Sequence, residues 1–373
     1  MTEIVLTNAR IVLGDEVREG SVVVRDGQIV DIGGRSASGE DMDGDYLVPG
    51  LVELHTDHIE PHFAPRPGVR WNATAALQAH DAQIAAAGIT TVFDALRVGV
   101  FAETITAADM RLLGEAIASA KAEDRLRADH LIHLRCEVSA PACETEFEAF
   151  KRDPNVRLIS VMDHAPGQRQ FASIDAYRVY HLGKTKKTLE EFNAFCAQRV
   201  EESETYAPGN RVAIAEFCRE HGVTMASHDD ATLEHVEESK RLGVKVAEFP
   251  TTMEAAQASH EAGLAVLMGA PNIVRGVSHS GNISAGALAE AGLLDILSSD
   301  YVPVSLMHAA FKLGQSIALP EALAMVSRNP AQALGMDDRG EIAIGKRGDM
   351  VQVRLANSVP IVRKVFREGR RVA

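Results

Sequence analysis

Positions 55–62 read HTDHIEPH, three imidazoles and two carboxylates in eight residues. They come directly after YLVPGLVEL, a run that is apolar apart from one glutamate and has the character of a buried strand. Alternate residues of a strand share a face, so His55 and Asp57 can point the same way while Thr56 points elsewhere. Other strand-like runs end in the same kind of residue: Glu137 after HLRC, His164 after SVMD, His228 after TMAS and Asp300 after DILSS. Imidazole and carboxylate without thiolate suit borderline divalent ions, with zinc first and manganese or nickel as alternatives.

Residues so far apart in the chain can act together only if the fold gathers the strand ends. Eight strand candidates, LVELHTD, ITTVFDAL, HLIHLRCEV, VRLISVMDH, VTMASHDD, KVAEF, AVLMGA and LDILSSD, are mostly separated by Ala- and Glu-rich helical stretches. This alternation predicts a parallel (β/α)8 barrel, whose C-terminal strand ends form one mouth. Any one of these residues is more readily explained by a structural hydrogen bond or a helix cap. Six of them, His55, Asp57, Glu137, His164, His228 and Asp300, at one barrel mouth predict a metal site. The two ends of the chain differ from the middle, with strand-turn-strand patterns in EIVLTNARIV and GSVVVRDGQIVDIGG, and again in GEIAIGKRGDMVQVRL and IVRKVFREGRRVA. A small β-sandwich module built from residues 1–48 and 340–373, beside a barrel over 49–339, is the expected organisation.

Bulk properties narrow the function. The chain has 373 residues, 46% hydrophobic and 24% charged, as in ordinary soluble enzymes, and no transmembrane run. The N-terminus has neither a basic region nor a continuous apolar one, so no signal peptide is read and a cytoplasmic location is expected. Four scattered cysteines with no C-x-x-C pair argue against a zinc ribbon or a disulfide framework. A formal net charge of −14 argues against nucleic-acid binding. An anionic small substrate remains compatible with it if a metal or a basic cluster reverses the field locally.

YLVPGLVELHTD, the ordered His164, His228 and Asp300, and the closing GEIAIGKRGDMV resemble the amidohydrolase superfamily of metal-dependent hydrolases over nearly the whole chain. Two places depart from its pattern. Asp57 stands where the second histidine of His-x-His is usual, and Glu137 stands for the carboxylated lysine that bridges two metals, on the third strand candidate where the fourth is usual. Within the superfamily, ELHTDHIEPHFAPRPGVRW, AHDAQIAAAGITTVFDALRVG, ASHDDATLEHV, AEFPTTMEAA and DILSSDYVPVSL resemble the phosphonate-pathway diphosphatases. Those enzymes hydrolyse ribose 1-methylphosphonate 5-triphosphate to the 5-phosphate and pyrophosphate. The resemblance implies two divalent ions that acidify water and bind a phosphoryl oxygen, with Asp300 taking the proton.

A ribosyl triphosphate needs cations at the mouth. Arg66 and Arg70 in APRPGVRW, Lys184 and Lys186 in HLGKTKKTLEEF, and Arg275 with His279 in NIVRGVSHSGN are the substrate-binding candidates. Arg66 lies between two prolines that stiffen its backbone. His58 and His62 are read as contacts to substrate or as hydrogen-bonding supports. Two rivals stand beside this reading: a C–N hydrolase of the same scaffold, such as a cyclic amidase or deaminase, and a catalytically silent scaffold protein. A homo-oligomer is left open.

Overall fold

The computed structural model describes residues 2–34, 38–99, 105–169, 188–276 and 282–373. Its strands are, in chain order, β1 (Glu3–Val12), β2 (Val17–Arg25), β3 (Gln28–Gly34), β4 (Glu40–Asp41) and β5 (Tyr46–Pro49); then β6 (Leu51–Thr56), β7 (Ile89–Val98), β8 (Asp129–Glu137), β9 (Val156–Met162), β10 (Thr224–His228), β11 (Val246–Glu248), β12 (Ala265–Gly269) and β13 (Ile296–Ser298); and finally β14 (Met350–Ala356), β15 (Val359–Arg367) and β16 (Arg370–Arg371).

Strands β6 to β13 form one parallel sheet in sequence order, and they coincide with the eight runs picked out above. The seam between the first and last strands closes where the chemistry is. Thr56 bridges Asp300; the Asp300 N–H donates to the His55 carbonyl at 3.1 Å, and the Asp57 N–H donates to the Asp300 carbonyl at 3.2 Å. Glu53 reinforces the seam, accepting from the His55 N–H and the Ser299 N–H at 2.6 Å each. Every residue of β6 is buried, as expected for a strand covered on both faces.

The barrel interior is filled by an apolar layer that draws on every strand, including Leu54, Phe93, Leu131, Leu158, Val246 and Ile296. The polar strand ends lie beyond this layer. In β8 the alternation is regular, so Leu131, His133, Arg135 and Glu137 share one face. In β6 it is not. The pairing with β7 shifts register between Glu53 and Thr56, so Leu54 joins the apolar layer while the next residue, His55, reaches the polar one.

The second sheet runs β16-β15-β14-β5-β1-β2-β3, with β4 added at β1, and is antiparallel except where β1 meets β4 and β5. Both ends of the chain therefore share one layer, with Leu6, Ile11, Val22, Met350 and Phe366 in its core. The expected strand in GEIAIG is a turn; Gly340 and Gly345 have φ of 85° each, a left-handed conformation that interrupts extended pairing. The sheet is tied to the base of the barrel at Asp129, the first residue of β8. Its carboxylate lies 2.6 Å from Arg347, 2.9 Å from Arg339 and 3.5 Å from Arg367. The four cysteines are buried thiols.

Candidate active site

At the centre of the mouth, below the ligand candidates, sits Glu248, the last residue of β11 and fully buried. One of its oxygens is 3.2 Å from His55 Nδ1 and the other 3.2 Å from His228 Nδ1. Burial alone would raise this carboxyl, but the His55 imidazole beside it outweighs that and holds it well below its ordinary range. An ionised carboxylate can only accept, so both imidazoles present Nδ1–H to Glu248. Their Nε2 atoms are the ones left to face a cation, the arrangement that commonly orients metal-binding histidines.

Two groupings each pair one of these histidines with carboxylates other than Glu248. His55, Asp57 and Asp300 bring one ligand atom each within 4.8 Å of one another, and so do His164, His228 and Asp229. In the second grouping, Asp229 Oδ2 is 3.5 Å from His228 Nε2 and 3.7 Å from His164 Nε2. Ligands around a tetrahedral ion with bonds of about 2.1 Å stand about 3.4 Å apart. Asp229 Oδ2 is buried without a hydrogen-bond partner among the described residues, and so is Asp57 Oδ1 in the first grouping. Buried carboxylate oxygens with nothing to accept from, beside imidazole nitrogens at ligand spacing, fit a divalent cation.

The field around these atoms favours positive charge. Burial pushes the His164 imidazole down, but Glu137 and Asp229 outweigh it and hold it up at about 10. Burial pushes Asp57 up, but Arg135 and His55 bring it down to about 2. Arg135 Nη1 donates to Asp57 Oδ2 at 2.6 Å. His133, deeper in the barrel, is pushed down to about 3, chiefly by burial, and links the Leu54 carbonyl to Ser160.

Glu137 ends β8, the third barrel strand. Its oxygens meet Ser139 Oγ at 2.6 Å, the His164 N–H at 3.0 Å and His164 Nδ1 at 2.6 Å, and it enters neither cation grouping. His164 follows β9 and is braced from behind. Asp163 accepts from Ser203 and Arg211, both on the long helix Leu189–His221, at 2.8 and 2.9 Å. Three residues just past strand ends, Asp229, Phe249 and Asp300, take positive φ of 58°, 53° and 55°. Such backbone conformations cost non-glycine residues roughly 1–3 kcal/mol and gather at functional sites. Here they turn the chain so that Asp229 and Asp300 enter the two groupings.

The expected substrate residues are dispersed. Arg66 is exposed on the loop after β6, and Arg275 is exposed at the end of the helix Ala270–Arg275 after β12, so both stand on the mouth side. Arg70 is paired through Nε with Asp109 Oδ2 at 3.0 Å. Lys184, Lys186 and His279 lie outside the described residues. His58 and His62 meet His80 instead of the mouth carboxylates. The six ligand candidates read from the sequence did not include Asp229, and Glu248, Arg135 and His133 were missed altogether. The readable signals were the lone glutamate in VAEF and the period-two spacing of His133 and Arg135 back from Glu137.

A parallel barrel that gathers imidazoles and carboxylates at its C-terminal mouth, with a sheet of both termini beside it, defines a metal-dependent hydrolase of the amidohydrolase class. Comparison with known proteins agrees: an Amidohydrolase family model matches residues 192–372. The chain is 43% identical, over 99% of its length and 100% of the relative, to alpha-D-ribose 1-methylphosphonate 5-triphosphate diphosphatase of Escherichia coli K12. Among solved structures it is similar to 5-methylcytosine deaminase from Klebsiella pneumoniae, with TM-score 0.64 and 14% identity over 99% of this chain and 98% of that one. It is also similar to N-acetylglucosamine-6-phosphate deacetylase from Thermotoga maritima, with TM-score 0.61 and 14% identity over 99% of each chain. The chain belongs to the amidohydrolase family, in the branch of the Escherichia coli diphosphatase. That membership implies a divalent metal, which the groupings above fit. Among the described residues no helix is long and apolar enough to cross a membrane.

Proposed function

We propose that this protein hydrolyses alpha-D-ribose 1-methylphosphonate 5-triphosphate to the 5-phosphate and pyrophosphate, using two divalent ions. The observation that carries the substrate is the 43% identity to the Escherichia coli diphosphatase along the whole of both chains. His55, Asp57 and Asp300 would hold one ion, and His164, His228 and Asp229 the other, with zinc as the first choice of metal. Bound there, the metal supplies charge neutralisation for the phosphoryl oxygens and acidifies the attacking water. Glu248 holds the two central imidazoles by Nδ1, and we assign Glu137 the same duty toward His164 in place of a bridging role. Asp300, just past the last strand, takes the proton from water as it attacks. Arg135 keeps Asp57 ionised and in place. Arg66 and Arg275, and Lys184, Lys186 and His279 from the sequence reading, are assigned to the β- and γ-phosphates, where preorganised cations stabilise the charge developing on the leaving group.

The test is product analysis in ¹⁸O-labelled water under single turnover. Pyrophosphate should form, with the label in the ribosyl 5-phosphate. Label in pyrophosphate means attack at the β-phosphorus, and release of single phosphates means attack at the γ end; either overturns the assignment of the basic loops. Turnover of hydantoins or dihydroorotate with no pyrophosphate release would replace the diphosphatase reading with C–N hydrolysis.

A further inference from the structure

A third cluster of imidazoles lies on the other side of the barrel wall. In β7, Phe93 faces the apolar interior while the next residue, Asp94, faces outward; in β8, Leu131 faces in and His130 out. Between these strands and the helix Ala73–Ala86 runs a buried chain of side chains. Asp94 Oδ2 is 2.7 Å from His130 Nδ1, and Asp94 Oδ1 is 2.7 Å from His80 Nε2. His80 is fully buried on that helix. At its far nitrogen the chain stops: His80 Nδ1 faces His58 Nδ1 at 3.3 Å.

Asp94 lies at hydrogen-bond distance between two imidazoles and accepts from both, so His80 Nε2 carries the hydrogen. The nitrogen directed at His58 is then the one able to bind a metal. His62, one helical turn beyond His58, completes the group, with ring centroids 5.0 Å from His58 and 6.0 Å from His80. Its Nε2 is buried with no hydrogen-bond partner among the described residues. One nitrogen from each of the three rings lies within 4.8 Å of the others. The separation of His58 from His80 is close to the ligand spacing of about 3.4 Å around a tetrahedral ion. Asp94 is the carboxylate behind the imidazole that such sites commonly carry. None of the three histidines belongs to the two groupings at the mouth.

We propose that His58, His62 and His80 bind a further divalent ion of the zinc type, distinct from those at the barrel mouth. Three imidazoles leave one coordination position to water. The ion would pin the segment after β6, immediately beyond Asp57, to the helix Ala73–Ala86, and so brace the mouth from outside. The assignment does not depend on the substrate proposed above, because its readout is metal content.

The test uses the full-length protein stripped with a chelator and titrated with zinc chloride. The wild type should bind one equivalent more than His62→Ala, and Asp94→Asn should weaken that one equivalent by about 10–100-fold. His58→Ala should lose the same equivalent. Unchanged stoichiometry and affinity in both histidine variants would reduce the cluster to hydrogen-bonded imidazoles and overturn the site. Should a variant fail to fold, anomalous diffraction at the zinc edge from zinc-soaked wild-type crystals decides. An ion about 2.1 Å from all three rings supports the proposal. Anomalous density at the mouth alone refutes it.

Discussion

At the scale of the residue, the site turns on which atoms are already occupied. Glu248 takes Nδ1 of both His55 and His228, whereas Asp57 Oδ1 and Asp229 Oδ2 have no hydrogen-bond partner among the described residues. Glu248→Gln replaces one accepting oxygen with a donor, so it should weaken metal binding by about 10–100-fold, read by titration of the chelator-stripped protein. Wild-type affinity would show that the imidazoles are oriented by something else. Asp300→Asn is expected to lower kcat by about 10²–10⁴-fold, because the amide keeps an oxygen but cannot take a proton. Metal content should be largely retained. Near-normal turnover in that variant would place the base elsewhere in the site.

At the scale of the element, the closing seam of the barrel both carries the site and holds it in register. Strand β13 has only three residues, and the contact of the last strand end with the first is completed by Thr56 and Asp300 through an isolated bridge. Glu53 fastens the two strands through the N–H groups of His55 and Ser299. Glu53→Ala would leave those two donors buried and unsatisfied, a loss of at least about 2 kcal/mol. Urea denaturation should show a lower midpoint with an unchanged slope, and metal affinity should fall as well because His55 and Asp300 lose their common anchor. Unaltered stability would mean that the backbone bridge closes the barrel by itself.

For the whole molecule, the sheet of both termini is fastened to the barrel base, away from the mouth. Asp129 gathers Arg339, Arg347 and Arg367. Burial raises its carboxyl, but Arg347 and the other guanidinium groups outweigh that and lower it below the ordinary aspartate value. A depressed folded-state value means that Asp129 stabilises the fold above its unfolded value and that this contribution is lost as pH falls through the folded one. Asp129→Asn should therefore cost about 1–3 kcal/mol near neutral pH. The gap from the wild type should narrow as the medium is made acid, while kcat of the folded enzyme stays close to normal. A gap independent of pH would show that shape and not charge holds this contact.

The barrel was legible in the sequence because parallel strands buried on both faces must be short apolar runs, and their ends had to bear whatever polar groups the mouth uses. His55, Asp57, His164, His228 and Asp300 could be picked out on that ground, since each closes such a run. Their partners could not. Glu248 also closes a strand, in VAEF, so its polarity was readable, but not that it meets histidines 193 and 20 residues away, because strand register around a closed barrel is set by pairing across the whole sheet. Glu137 had the right residue type at a strand end, but whether its oxygens face a cation or an imidazole depends on how β8 and β9 are staggered. His58 and His62 were drawn to the mouth by their nearness in sequence to Asp57. The tertiary structure takes them to His80 on a neighbouring helix, because the chain turns into the short helix Ile59–Phe63 as soon as the strand ends. Residue types and strand ends are written locally, and so the sequence alone determined the scaffold and its class of chemistry. Which carboxylate serves which imidazole is decided by contacts between strands, and only the closed barrel holds those.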